Sequence, residues 1–347
     1  MRICICGGGN LGHVVAGFIA AQGVHDVVLL TRHPERWSHE LVIETPDRTT
    51  CTGQLQGLYS DAREAVGQAD IVWLCLPGYA IRPTLLQIRH FLPPQTAVGS
   101  VVSSTGFFFE AMELLPPAQP LFGFQRVPFI ARVEDYGHRA RLMGYKESLY
   151  MAVEHMTDAD AFRKTLEQML HTPISLLGSF YEAALSNSNP LLHPARLYDL
   201  WKDWHPGVVG RRVPLFYEEW TEEAAQLYIG MDAELQQLLA VLPVRRGSIP
   251  TVLDYYESTD AGSLAAKLRS IEAFKGIEAP MKKVEGGYAP DFHSRYFTED
   301  FPFGLAFVQQ LAHEKGVATP TIDRVMSWGQ HVMAWQQATS TTPQTCG

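Results

Sequence analysis

Apolar residues come in short unbroken runs in the first half of this chain and at helical spacing in the second. The runs Arg2-Ile3-Cys4-Ile5-Cys6, Asp26-Val27-Val28-Leu29-Leu30, Ile71-Val72-Trp73-Leu74-Cys75-Leu76 and Ala97-Val98-Gly99-Ser100-Val101-Val102 have no alternating polar face. Strands of that kind are buried on both sides, as in a parallel sheet covered by helices. Residues 13–21, 61–68 and 81–91 supply helices between them, the crossovers that parallel strands require. Within 122–150 and just beyond, the apolar pieces 140–145 and 148–153 read as late strands closing the first domain. Residues 159–170 are amphipathic, with Phe162, Leu166, Met169 and Leu170 on one stripe. Farther on the texture is helical, at 218–240, 263–274, 304–315 and 321–337. The expected architecture is α/β, with a doubly wound parallel sheet over residues 1–182 and a mostly α-helical domain over 183–338. The boundary falls in the window 175–190, and 339–347 reads as a flexible tail. No internal repeat is present.

The first strand runs straight into Gly7-Gly8-Gly9-Asn10-Leu11-Gly12, which puts Gly7, Gly9 and Gly12 at G-x-G-x-x-G spacing. The first glycine turns sharply, the second lets the backbone approach a pyrophosphate, and the third lets helix pack on strand. Helix N–H groups then face the anion. Strand, turn, helix and second strand make the N-terminal half a Rossmann dinucleotide-binding domain. Its candidate cofactor contacts are Gly7, Gly9, Asn10, Leu11 and Gly12 in the turn, Thr31 and Arg32 after the second strand, and Pro77 after the strand at 71–76. An acid at the end of the second strand would accept from a ribose 2′-hydroxyl, whereas a base accommodates a 2′-phosphate. Here the residues are Thr31-Arg32-His33, with Arg36 one turn on. NADP(H) is therefore expected in preference to NAD(H), since a guanidinium holds phosphate through paired charge-assisted bonds. The alternative leaves Arg32 as a solvated loop residue.

Length and charge narrow the class. A chain of 347 residues is long enough for two domains. Its formal net charge of −9 argues against a general nucleic-acid surface. The basic pairs Arg211-Arg212, Arg245-Arg246 and Lys282-Lys283 read as solvated loops. No apolar run reaches bilayer length, and a membrane partner is not expected. Five cysteines, at 4, 6, 51, 75 and 346, lack metal-ligand spacing and read as buried small hydrophobes, with neither metal nor disulfide. A cytoplasmic location is expected.

Candidate chemistry lies in the second half. In Asn187-Ser188-Asn189-Pro190-Leu191-Leu192-His193-Pro194 two prolines bracket a histidine. Pro194 is expected to open a helix, leaving His193 at its positive end and exposed to a cleft. Farther on, Arg295-Tyr296-Phe297-Thr298-Glu299-Asp300-Phe301-Pro302-Phe303-Gly304-Leu305 sets a guanidinium and a carboxylate ahead of another proline-opened helix. Glu299 and Asp300 read either as acids complementing the helix dipole or, for Asp300, as a partner of His193. A carboxylate on one ring nitrogen fixes the tautomer while the other nitrogen moves a proton. A hydride enzyme acting on a carbonyl or imine needs that acid/base.

These segments, with the N-terminal fingerprint and Phe124-Gln125-Arg126-Val127-Pro128-Phe129 leading to Arg132 and Tyr136-Gly137, resemble the octopine/nopaline dehydrogenase (opine dehydrogenase) family over most of the chain. The resemblance implies a Rossmann domain joined to a helical domain, with substrates bound in the cleft between them. It implies reductive condensation of an amino acid with a 2-oxo acid through an imine that takes hydride from the nicotinamide. It also implies that His193 is the catalytic histidine, Asp300 its partner, Arg295 a substrate-cleft arginine and Gln125 a residue near the oxo-acid site.

The chain is shorter than the well-known invertebrate members, and Arg32 does not suit an enzyme restricted to NADH. Tyr217, Trp220 and Tyr228 match no family position. Arg132 reads either as a carboxylate holder or as a local ion pair with Glu134-Asp135. Trp201, Trp204, Trp328 and Trp335 suit core packing, and His205 reads as structural. A homodimer is an open expectation. The rival functions are a ketopantoate-reductase-like 2-oxo acid reductase, which would rest on a helical-domain lysine, and a non-catalytic NADPH sensor.

Overall fold

The computed structural model describes residues 1–340 and divides the chain into two units, Met1–Ser186 and a second beginning at Asn187. The first unit contains β1 (Arg2–Cys6), β2 (Asp26–Leu30), β3 (Glu40–Glu44), β4 (Thr50–Gln54), β5 (Gly57–Tyr59), β6 (Ile71–Leu74), β7 (Ala97–Ser100), β8 (Leu121–Phe124), β9 (Phe129–Asp135), β10 (Arg139–Tyr145), β11 (Leu149–Glu154) and β12 (Ile174–Leu176). Eight of them form one sheet in the order β12-β11-β8-β7-β6-β1-β2-β5. It is parallel from β5 to β8, and β11 then returns antiparallel.

The unbroken apolar runs are explained by two cores, one on each face of this sheet. Ile3, Ile5, Ile71 and Trp73 point to one side, where the helices Asn10–Ala20 and Ala159–Leu170 deliver Val14, Val15, Ile19, Leu166 and Met169. Cys4, Cys6, Val72 and Leu74 point to the other, against Ala65, Ile81, Leu85, Phe107 and Ala183 from four further helices. Each valine, leucine, isoleucine, phenylalanine or methionine among them contributes about 1.5–3 kcal/mol when fully buried.

The late strands do not simply close this sheet. β8 and β11 join it, whereas β9 and β10 leave it to form a second sheet with β3 and β4, in the order β4-β3-β10-β9. Those two early strands went unseen in the sequence because 40–54 mixes glutamate and threonine with its apolar positions. The second sheet lies on the first helix, so closely that a Cβ on Gly17 would meet the Ile43 side chain at 2.7 Å.

The second unit is mostly helical, with helices Asn189–Trp201, Glu222–Val241, Ala261–Ser270, Ala306–Glu314 and Pro320–Ser340 among its elements. Buried acids lock helix starts within it. Glu234 accepts from the backbone N–H groups of Thr321 and Ile322 at 2.7 and 2.9 Å. Asp232 accepts from that of Val252 at 3.0 Å, and burial pushes its carboxyl up from the usual range. Lys282 and Lys283 are exposed but belong to β13 (Met281–Val284), paired antiparallel with β14 (Gly287–Pro290), and not to a loop. Of the tail expected at 339–347, residues 339 and 340 continue the last helix, and 341–347 lie outside the described residues. Among the described residues no helix is long and apolar enough to cross a membrane.

Candidate active site

The glycine turn after β1 is built from backbone that has no room for side chains. Gly7 has φ +119°, and a Cβ there would sit 2.6 Å from the Cys75 carbonyl oxygen. On Gly12 a Cβ would lie 1.9 Å from the oxygen of Gly7, so the helix sits directly on the turn. Gly9 is different, because a Cβ there would meet nothing within 4 Å. It caps the Asn10–Ala20 helix in extended conformation without a side-chain cap bond or an acid in the first turn. The helix thus starts beside open space at Gly9, which suits a pyrophosphate.

The turn is clamped from behind by Asn10 and by two residues the sequence pattern had not marked, His13 and Trp37. Asn10 Oδ1 accepts from the Val133 N–H of β9 at 2.8 Å. His13, wholly buried, accepts at Nε2 from the Gly137 N–H at 2.8 Å. Its proton is therefore on Nδ1, which donates to the Gly9 carbonyl at 3.0 Å. Trp37 stacks on this ring at 4.0 Å and Tyr136 meets it edge-on. Burial lowers the His13 pKa and keeps the ring neutral. A lone histidine in an otherwise apolar helix straight after a glycine turn was the available signal.

Thr31 and Arg32 follow β2, Pro77 follows β6 and Gln125 follows β8, so all stand beyond the carboxyl ends of parallel strands. The Thr31 N–H donates to Tyr59 O at 2.9 Å, and Leu11 packs against the first core. Arg32 is exposed, and Arg36 lies over the Tyr136 ring at 4.7 Å. Gln125 is partly buried, its N–H bonded to Tyr150 O, and it stands three strands from β1, about 14 Å at normal strand spacing. Glu134 pairs with Arg139 and Arg141 on β10.

In the second unit, Pro190 and not Pro194 opens the histidine helix, which begins at Asn189; Pro194 sits inside it. His193 is thus in the second turn and only 8% exposed, a correction to the expected exposed helix start. Pro190 is one turn away on the same side, and Gly304 packs on it so tightly that a Cβ would meet the Pro190 ring at 2.6 Å. Gly304 belongs to a π-helical turn, Phe301–Leu305, in which Leu305 N–H reaches back to Asp300 O at 2.7 Å. Phe301 in turn fills the gap at Gly329 and stacks on Phe297. This packing delivers Asp300 to the histidine. Asp300 Oδ2 and His193 Nδ1 are 2.7 Å apart, with little of either side chain exposed.

A carboxylate only accepts, so the neutral ring carries its proton on Nδ1 and leaves the Nε2 lone pair for exchange. Nε2 meets the Tyr217 hydroxyl at 2.9 Å. Tyr296 meets the ring edge-on at 4.6 Å. Arg295 begins the short Arg295–Thr298 helix and is exposed. Trp201 is buried against Phe297, in keeping with a packing role. His205 is exposed and bonds only locally to Pro206 O, so it is not a core residue.

The segment that carries this pair has counterparts in known proteins. Residues 176–333 match the alpha-helical domain of the NAD/NADP octopine/nopaline dehydrogenases. The chain is similar to that family through this segment. It is 26% identical to the octopine dehydrogenase of Pecten maximus, across 95% of this chain and 90% of the relative. A solved structure of octopine dehydrogenase with NADH and L-arginine superposes with a TM-score of 0.85 at 26% identity, covering 96% of this chain and 90% of that one. Another with NADH and pyruvate gives 0.84 at the same identity, covering 96% and 89%.

Residues 3–117 also match the ketopantoate reductase PanE/ApbA family. The chain is an NAD(P)-dependent oxidoreductase of the opine dehydrogenase type. Among the described residues no cluster of histidine, cysteine or acidic side chains could hold a metal ion.

Proposed function

We propose that this opine dehydrogenase prefers NADP(H) and uses His193 as general acid/base, Asp300 as its orienting partner, and Arg295 and Gln125 to bind the substrates. The observation that carries the reading is the 2.7 Å contact between Asp300 and His193 Nδ1, in surroundings that exclude most solvent. Condensation needs a proton taken from the amine and one given to the departing hydroxyl, and an imidazole held in one tautomer serves both steps. Asp300 supports the imidazolium formed in between. Gly7, Gly9, Asn10, Leu11, Gly12 and Pro77 would hold the nicotinamide nucleotide, since the space before Gly9 and the helix N-terminus fit a pyrophosphate. When bound, the reduced nicotinamide supplies the hydride. Arg32 and Arg36 supply cations after β2, and its end carries Thr31-Arg32 and not the acid that would accept from a ribose 2′-hydroxyl, which favours NADPH.

The substrates we assign are an amino acid and a short 2-oxo acid such as pyruvate, the compounds seen with the solved relative. The test is oxidation of NADPH and NADH with pyruvate or glyoxylate, with and without a panel of amino acids. Oxidation that needs both substrates and is faster with NADPH is expected. Oxidation with the oxo acid alone would instead mark a 2-oxo acid reductase.

A further inference from the structure

We propose that the Tyr217 hydroxyl is the relay through which His193 exchanges its proton with the substrate. This rests on His193 being the acid/base. Both ring nitrogens of His193 are engaged, Nδ1 by Asp300 at 2.7 Å and Nε2 by the Tyr217 hydroxyl at 2.9 Å. The ring is almost wholly buried, with Tyr296 edge-on against it. A substrate can therefore reach Nε2 in two ways, by pushing Tyr217 aside or by passing its proton through the phenol.

The structure blocks the first route. The Tyr217 ring is stacked on Phe274 at 4.1 Å and on Trp220 at 6.0 Å, and is 5% exposed. Its backbone is pinned on both sides. Phe216 O accepts from the buried Arg196 Nε at 2.9 Å, the Phe216 N–H bonds Ile277 O at 2.7 Å, and Tyr217 O accepts from the Trp220 N–H at 3.0 Å. Glu219 ties the same segment to Leu215 N–H and to Arg212. Arg196 stands one turn beyond His193 on the same helix, so acid/base and phenol are held by one element.

The proton count closes with no other reactant. As acid, imidazolium Nε2–H passes its proton to the phenol oxygen while the phenol O–H proton moves to the hydroxyl that departs as water. As base, the phenol gives its proton to Nε2 and receives one from the substrate nitrogen. In both directions two protons shift, the net transfer is one, and the phenol ends neutral. Burial, with the negative charge of Asp300 and the neighbouring Tyr296 and Tyr256, pushes the Tyr217 pKa well up, so the hydroxyl keeps its proton at working pH.

The experiment is steady-state kinetics of Tyr217→Phe beside His193→Ala, with NADPH, the oxo acid and the amino acid that support turnover. Phenylalanine keeps the stacking ring and removes only the hydroxyl. A relay predicts kcat lower by about 10-fold or more with KM within about 2-fold, and a proton inventory in mixed water and heavy water that changes from curved in the wild type to linear. Turnover of Tyr217→Phe equal to or above the wild type, with His193→Ala inactive, overturns the relay and leaves the dyad standing. Full turnover of His193→Ala removes the acid/base assignment itself. If Tyr217→Phe does not fold, the wild-type inventory decides, because a linear plot means one proton in flight and no relay.

Discussion

At the end of β1 the protein presents backbone, and around His193 it presents side chains. The glycine turn works by what is missing, since carbons at Gly7 or Gly12 would collide with carbonyl oxygens while the space at Gly9 stays open. The His193 site works by what fills it, an aromatic and carboxylate surround that leaves neither ring nitrogen unbound. A backbone site tolerates many neighbours but no extra atom within it. A side-chain site depends on distant packing, here Gly304 on Pro190 and Phe301 on Gly329, to bring its parts within hydrogen-bond reach.

The sharpest way to break this contrast is His193→Ala. It is expected to lower kcat by about 10²–10⁴-fold, while fluorescence titration shows NADPH affinity within about 2-fold of the wild type. Equal loss of affinity would mean the two regions are not separable. Gly12→Val should do the opposite, costing about 3 kcal/mol in denaturant unfolding by overpacking and abolishing measurable nucleotide binding.

Gly304→Ala tests whether packing governs the side-chain site. We expect a loss of about 1–3 kcal/mol and a fall in kcat with cofactor affinity unchanged, and wild-type turnover would show that the contact with Pro190 does not position Asp300. Arg32→Glu is expected to weaken NADPH by about 10-fold, the size of a lost charge-assisted bond, and to leave NADH within about 2-fold. Equal effects on both nucleotides would place Arg32 away from the 2′-phosphate.

The smallest effect concerns the segment that carries Tyr217. Arg212 and the Leu215 N–H hold the Glu219 carboxyl down to about 2. A group depressed on folding stabilises above its unfolded pKa and loses that contribution as pH falls toward the folded value. Glu219→Gln should therefore cost about 1 kcal/mol near neutrality, modest because the pair is partly solvated. The difference should fade between about pH 4.5 and pH 2, and a gap that persists at pH 2 would assign it to packing.

Much of this was legible in the chain. Unbroken apolar runs identified the parallel strands because burial on both faces leaves no polar position to show. The spacing of Gly7, Gly9 and Gly12 identified the nucleotide turn because its constraint lies within one turn of chain. His193 and Asp300 stood out through the prolines and glycine around them. The helix start was misplaced because two prolines, Pro190 and Pro194, both suit a first turn. Tyr217 gave no signal, being one aromatic among several beside a polar loop, and β3 and β4 gave little because they mix polar with apolar positions and the strand that extends their pair, β10, lies far along the chain.

The sequence by itself determined the nucleotide turn, whose steric rules act between neighbours such as Gly7 and Gly12. Only the tertiary structure decided that His193, Asp300 and Tyr217 form one hydrogen-bonded row. Asp300 is 107 residues from His193 and Tyr217 is 24, and no local rule acts across such separations. What joins them is the fit of a proline against a glycine, an aromatic stack and a buried guanidinium, each of which exists only once the helices have packed.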